Sequence, residues 1–139
     1  MDIAGRIAKS LIGQECSAVT RREFDWVFQF ADSGALRTEC PWRIVIGGKI
    51  ALTESDHAQQ FGLPAPIDGE VESKRLIAGK SIIGVTIRDG VGDISIAFDN
   101  GTVLEVWNSS SGYEGWGITV ASGLSVIAMG GGELAIWEI

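Results

Sequence analysis

A mainly β chain is the fold class this sequence predicts: an antiparallel β-sandwich or barrel-like fold made of two similar halves, with one or two short helices. Three observations carry that expectation. Apolar and polar residues alternate with period two over short runs, glycine-bearing reversals separate those runs, and a set of small motifs in the first half recurs in the second. At 139 residues the chain has the length of one domain.

The elements follow in order. Asp2 carries a carboxylate suited to capping a helix, and Ile3, Ile7 and Leu11 come at the four-residue spacing that stacks side chains on one helical face. Gly13 suits the left-handed position just beyond that helix. Phe24, Trp26, Phe28 and Phe30 alternate with Asp25, Val27 and Gln29, which predicts a half-buried strand with an aromatic face. Gly47-Gly48 reads as a tight reversal, and Leu63-Pro64-Ala65-Pro66 as a stiff connector. Asp68 to Ala78, ending at Gly79, predicts a second, weaker helix. Ile94, Ile96 and Phe98 repeat the strand pattern, and Asn100-Gly101 is the strongest hairpin signal, because both residues tolerate positive φ. Ser122-Gly123 and Gly131-Gly132 suit further reversals. Eight to ten strands are expected.

The recurrence runs through the chain. Leu11-Ile12-Gly13 answers to Ile77-Ala78-Gly79, Ala18-Val19-Thr20 to Gly84-Val85-Thr86, and Trp42-Arg43-Ile44 to Trp116-Gly117-Ile118 after an extra loop. The expected organisation is a single domain, 1–139, in which pseudo-repeats 1–62 and 68–139 are joined by the Pro-containing connector 63–67. Each half alone has an apolar face it cannot bury, so one fused core is expected.

Charge is distributed unevenly. Residues 1–88 hold all 11 Lys and Arg residues and an equal number of acidic ones. After Arg88 come Asp89, Asp93, Asp99, Glu105, Glu114, Glu133 and Glu138 with no base, so the net charge of −7 belongs to residues 89–139. A shared surface of that kind attracts cationic partners and repels nucleic acid. No apolar run is long enough for a membrane helix, and Asp2, Arg6 and Lys9 interrupt any leader-like stretch, so a cytoplasmic protein is expected.

Motifs for chemistry are sparse. Ser55, Asp56 and His57 are consecutive, and neighbours on an extended segment point to opposite sides, so they form no triad. Cys40 with His57 and Asp56 is the best enzyme candidate, ranked below binding. Cys16 and Cys40 sit in apolar stretches and read as buried reduced thiols, with a single bridge left open. Zinc or calcium spacing is missing, and Gly130-Gly131-Gly132-Glu133 lacks the lysine and helix of a phosphate loop. Neither a metal, a cofactor nor a catalytic residue is assigned.

The segment that invites a binding role is Asn108-Ser109-Ser110-Ser111-Gly112-Tyr113-Glu114-Gly115-Trp116, the extra loop of the second half. It combines hydroxyls, an amide and glycines with rigid aromatic anchors. The run Asp93 to Trp116, with Phe98-Asp99-Asn100-Gly101, Asn108, Ser110-Ser111-Gly112-Tyr113-Glu114 and Trp116, then Gly131-Gly132-Glu133-Leu134, resembles a family of small uncharacterised bacterial proteins. That resemblance implies a compact β-rich fold, and by analogy an immunity protein of a toxin system. The expected function is therefore non-catalytic binding of a basic, toxin-like protein through Asp93, Asp99, Glu105, Asn108, Ser110, Ser111, Tyr113, Glu114 and Trp116. The alternative is a small-ligand binder, a homo-oligomer enclosing a polar metabolite or nucleotide.

Overall fold

The computed structural model describes residues 2–138. Helix α1 spans Ile3–Leu11, and strands β1 (Ala18–Arg21), β2 (Trp26–Gln29), β3 (Gly34–Thr38), β4 (Trp42–Ile46) and β5 (Lys49–Thr53) follow. Helix α2 spans Gly69–Ile77 and precedes β6 (Ile82–Ile87), β7 (Ile94–Phe98), β8 (Thr102–Val106), β9 (Trp116–Val120), β10 (Leu124–Ala128) and β11 (Leu134–Glu138). Among the described residues there are eleven strands, more than the eight to ten expected. The aromatic run is also shorter than its alternation suggests. Arg22 donates its backbone N–H to the Asp25 carbonyl at 2.8 Å, which turns the chain, so β2 begins at Trp26 and Phe24 lies outside it.

Both helices form for local reasons. The Asp2 carboxylate accepts from the Gly5 N–H at 2.8 Å, and Ile3, Ile7 and Leu11 face the core. The Asp68 carboxylate accepts from Glu70 and Val71 N–H groups, while His57 Nδ1 accepts from the Gly69 N–H at 3.0 Å. Three of the four free donors of the α2 first turn are thereby satisfied. Gly13 and Gly79, at φ +86° and +72°, take the left-handed positions beyond the two helix ends.

The strands form two antiparallel sheets, ordered β1-β2-β3-β9-β10-β11 and β5-β4-β8-β7-β6. Corresponding elements of the two halves occupy corresponding places. Val19 faces Phe28 in the first meander as Val85 faces Ile96 in the second. Thr38 faces Trp116 where β3 meets β9, as Val106 faces Trp42 where β8 meets β4. Each three-stranded meander is completed by strands from the other half, and one apolar cluster from Ile3 to Ala128 fills the space between the sheets. Helix α1 packs along β6 and α2 along β1, so each closes one open side of the sandwich. The connector runs over the surface, closed at its base by paired Ala58 and Ile67 backbones. Among the described residues no helix is long and apolar enough to cross a membrane.

Ile7 is fully buried where α1 meets the core, so Ile7→Ala is expected to cost about 2–5 kcal/mol in urea unfolding. Asp68→Ala, which frees two α2 donors, is expected to cost about 1 kcal/mol by the same measurement.

Candidate functional site

Strand register gathers a set of loops at one end of the sandwich. Arg21, Trp26, Thr38 and Trp116 lie in one row of the first sheet, and Trp42, Val106, Ile94 and Ile87 in one row of the second. Loops 22–25, 39–41, 88–93, 107–115 and 129–133 leave from these rows, with the 3-10 turn Glu54–Asp56 beside them. At the opposite end the strands are joined by tight turns, among them Gly47-Gly48 and Asn100-Gly101, all four residues at positive φ.

Asn108 ties the loop end together. Its backbone N–H donates to the Asp93 carboxylate at 2.9 Å, and its side-chain amide donates to the Val91 and Met129 carbonyls, both at 3.0 Å. Three loops are thus joined through one residue. Its side-chain oxygen is buried without a hydrogen bond, and a Cβ at Gly115 would collide with that oxygen and with Cys40 Sγ. Ser110 adds a second brace: its hydroxyl accepts from the Gly112 and Tyr113 N–H groups, and its carbonyl accepts from the Gly131 N–H at 2.9 Å. Glu39 N–H bonds the Gly115 carbonyl, and Trp107 N–H the Pro41 carbonyl. Despite its length, the loop is a preformed surface.

That surface presents aromatic rings within an acidic rim. Tyr113 is 82% exposed, Phe24 78% and Trp107 45%. Glu23, Glu39, Asp89, Glu114 and Glu133 are exposed around them, with Glu54 half-buried. Two of the guanidiniums at this end are already matched. Arg22 binds both carboxylate oxygens of Asp25, at 2.6 and 2.7 Å, and holds that carboxyl below its usual range. Arg43 donates to Glu105 at 2.7 Å and lies 4.5 Å from the Trp107 ring centroid. Beside Trp107 a cleft of about 250 Å³ is lined by Pro41, Ile50, Thr53 and Glu54.

Of the residues singled out from sequence, Asp93, Glu105, Asn108, Ser110, Ser111, Tyr113 and Glu114 lie at or beside this end. Asp99 lies at the other end, because β7 runs the length of the sandwich between Asp93 and Asp99. Glu138, at the far end of β11, pairs with Arg6. Trp116 is fully buried, its indole N–H donating to the Gly92 carbonyl at 2.7 Å, so its ring belongs to the core. Glu23, Phe24, Glu39, Glu54 and Trp107 were hidden from sequence reasoning. The first 88 residues balance in charge, but Lys9, Lys49, Lys74, Arg75 and Lys80 are carried on the helices or toward the opposite end.

The enzyme candidates have structural duties. Asp56 accepts from the Thr53 N–H at 2.9 Å, and His57 caps α2 with its ring edge-on to Trp26. Cys16 and Cys40 are buried and free, and burial pushes the Cys16 thiol up to about 11. Among the described residues no three His, Cys, Asp or Glu side chains are grouped to hold a metal ion.

Residues 10–138 match a family described as "Family of unknown function (DUF6188)", and the chain belongs to that family. No curated protein and no solved structure matches it.

Asn108→Ala removes the side-chain hydrogen bonds to the Val91 and Met129 carbonyls and is expected to lower unfolding free energy by about 2 kcal/mol. Ser111→Ala on the exposed part of the same loop should stay within about 0.5 kcal/mol. With its thiol raised to about 11, Cys16 at pH 8 should react with a disulfide reagent about a hundredfold more slowly in the folded than in the denatured protein.

Proposed function

We propose that this member of the family is a binding protein without chemistry of its own, whose loop-rich end docks a basic protein partner, in the manner of a bacterial immunity protein occluding a toxin in the cytoplasm. The single observation that carries this reading is the placement of Phe24, Trp107 and Tyr113 at the end where Glu23, Glu39, Asp89, Glu114 and Glu133 are exposed. Exposed aromatics on braced loops anchor protein contacts at low entropic cost. A rim of carboxylates accelerates encounter with a cationic surface and selects against acidic ones. The Asn108 and Ser110 braces support the reading further, because a preformed loop loses little freedom on binding.

The cleft beside Trp107 favours a second reading, a small aromatic or apolar ligand held against that ring. A thermal-shift screen with planar metabolites separates the two, since a tight small ligand raises the melting temperature in the absence of any partner protein.

Titration calorimetry of the chain against basic proteins encoded beside it, at low and high salt, tests the main reading. Tyr113→Ala and Phe24→Ala are each expected to weaken binding about thirtyfold, and affinity should fall as salt rises. Affinity indifferent to salt and to both substitutions would refute the docking surface.

A further inference from the structure

The two sheets have four edges, and three of them are guarded. Helix α2 packs along β1 and also reaches β5, whose pairing with β4 is broken by a bulge between Ile44 and Val45 and which opens on Lys49. Helix α1 packs along β6, which also bears a bulge, between Ile82 and Gly84. The fourth edge, β11, is regular in its pairing with β10 through all five residues. It contains neither proline nor lysine, and its apolar side chains are exposed on both faces, Ile136 at 39% and Trp137 at 48%. Lysine, proline, bulges and covering helices are the devices that keep sheet edges from pairing; among the described residues β11 carries no lysine, proline or bulge, and its tie to a helix is at its last residue, where Glu138 pairs with Arg6 of α1.

We infer that β11 pairs antiparallel with β11 of a second copy of this chain, joining two six-stranded sheets into one. The occupant follows from the strand's self-complementarity. Residues facing each other across an antiparallel ladder must point to the same side, so an identical pair must be centred on a residue. The register that uses all five residues is centred on Ile136. It sets Ile136 against Ile136, Ala135 against Trp137, and Leu134 against Glu138. Large meets small on the outer face, and no carboxylate meets another. The charge of Glu138 is answered by Arg6 of its own chain. An axis of this kind is perpendicular to the sheet and reverses the neighbour, so the two loop-rich ends point in opposite directions. Each stays open, and the dimer is bivalent.

Sedimentation equilibrium of the full chain tests the pairing. At about 100 µM the wild type is expected to be a dimer, given micromolar affinity. Ile136→Lys alone and Ile136→Glu alone should each be monomeric, because each sets like charges opposite one another. An equimolar mixture of the two should restore the dimer, because the charges then match. Trp137→Lys, at an exposed position, serves as a second break should an Ile136 variant fail to fold by circular dichroism. A monomeric wild type, a dimer that survives both Ile136→Lys and Trp137→Lys, or a mixture that stays monomeric would each overturn the pairing. Tyr113→Ala leaves the dimer intact, so failure here and failure of the docking surface are distinguishable.

Discussion

Two strand pairings, β3 with β9 and β4 with β8, hold the molecule together as one body. Each joins a meander from one half to a strand from the other, so neither sheet exists without residues from both halves. The inner faces carry Phe28, Leu36 and Trp116 on one side, with Ile44, Ile96 and Leu104 on the other, all close to full burial. A three-stranded meander alone would leave such a face in water, and an apolar face has to be buried against another layer. Exchange between the halves turns two unsatisfied faces into one core, and the helices close its two open sides.

The same exchange creates the loop end. Because β3 leads into β4 and β8 leads into β9, the chain crosses from one sheet to the other twice at this end. The first crossing is the short 39–41 link and the second is the long 107–115 loop, and the two are hydrogen-bonded through Glu39 and Gly115. A long loop is an entropic burden unless something orders it. Asn108 and Ser110 do so by binding the neighbouring 88–93 and 129–133 loops. What remains exposed is a set of side chains, Tyr113 and Glu114 among them, on a backbone pinned through the N–H groups of Trp107, Asn108, Gly112, Tyr113 and Gly115.

The excess of carboxylates at this end, over the guanidiniums of Arg22, Arg43 and Arg88 that also lie there, is a product of topology. Acidic residues from both halves meet there, while lysines are drawn to α1, α2 and the opposite turns, where Lys80 bonds Thr102 at 2.7 Å. The resulting field is directional in a way that a net charge of −7 does not express.

The sequence by itself determined what is local. Asp2 and Asp68 cap helices whose apolar spacing and closing glycines are written in consecutive residues, and Asn100-Gly101 makes a hairpin because both accept positive φ. The period-two runs marked the strands. Tertiary structure alone decided which strand lies beside which, that Asp99 is a sandwich length away from Asp93, and that Trp116 is entombed while Trp107 is half-exposed. The physical reason is range. Capping, turn geometry and alternation are settled within a few residues of chain, whereas the company a side chain keeps is set by pairings between residues far apart in sequence, which no local pattern encodes.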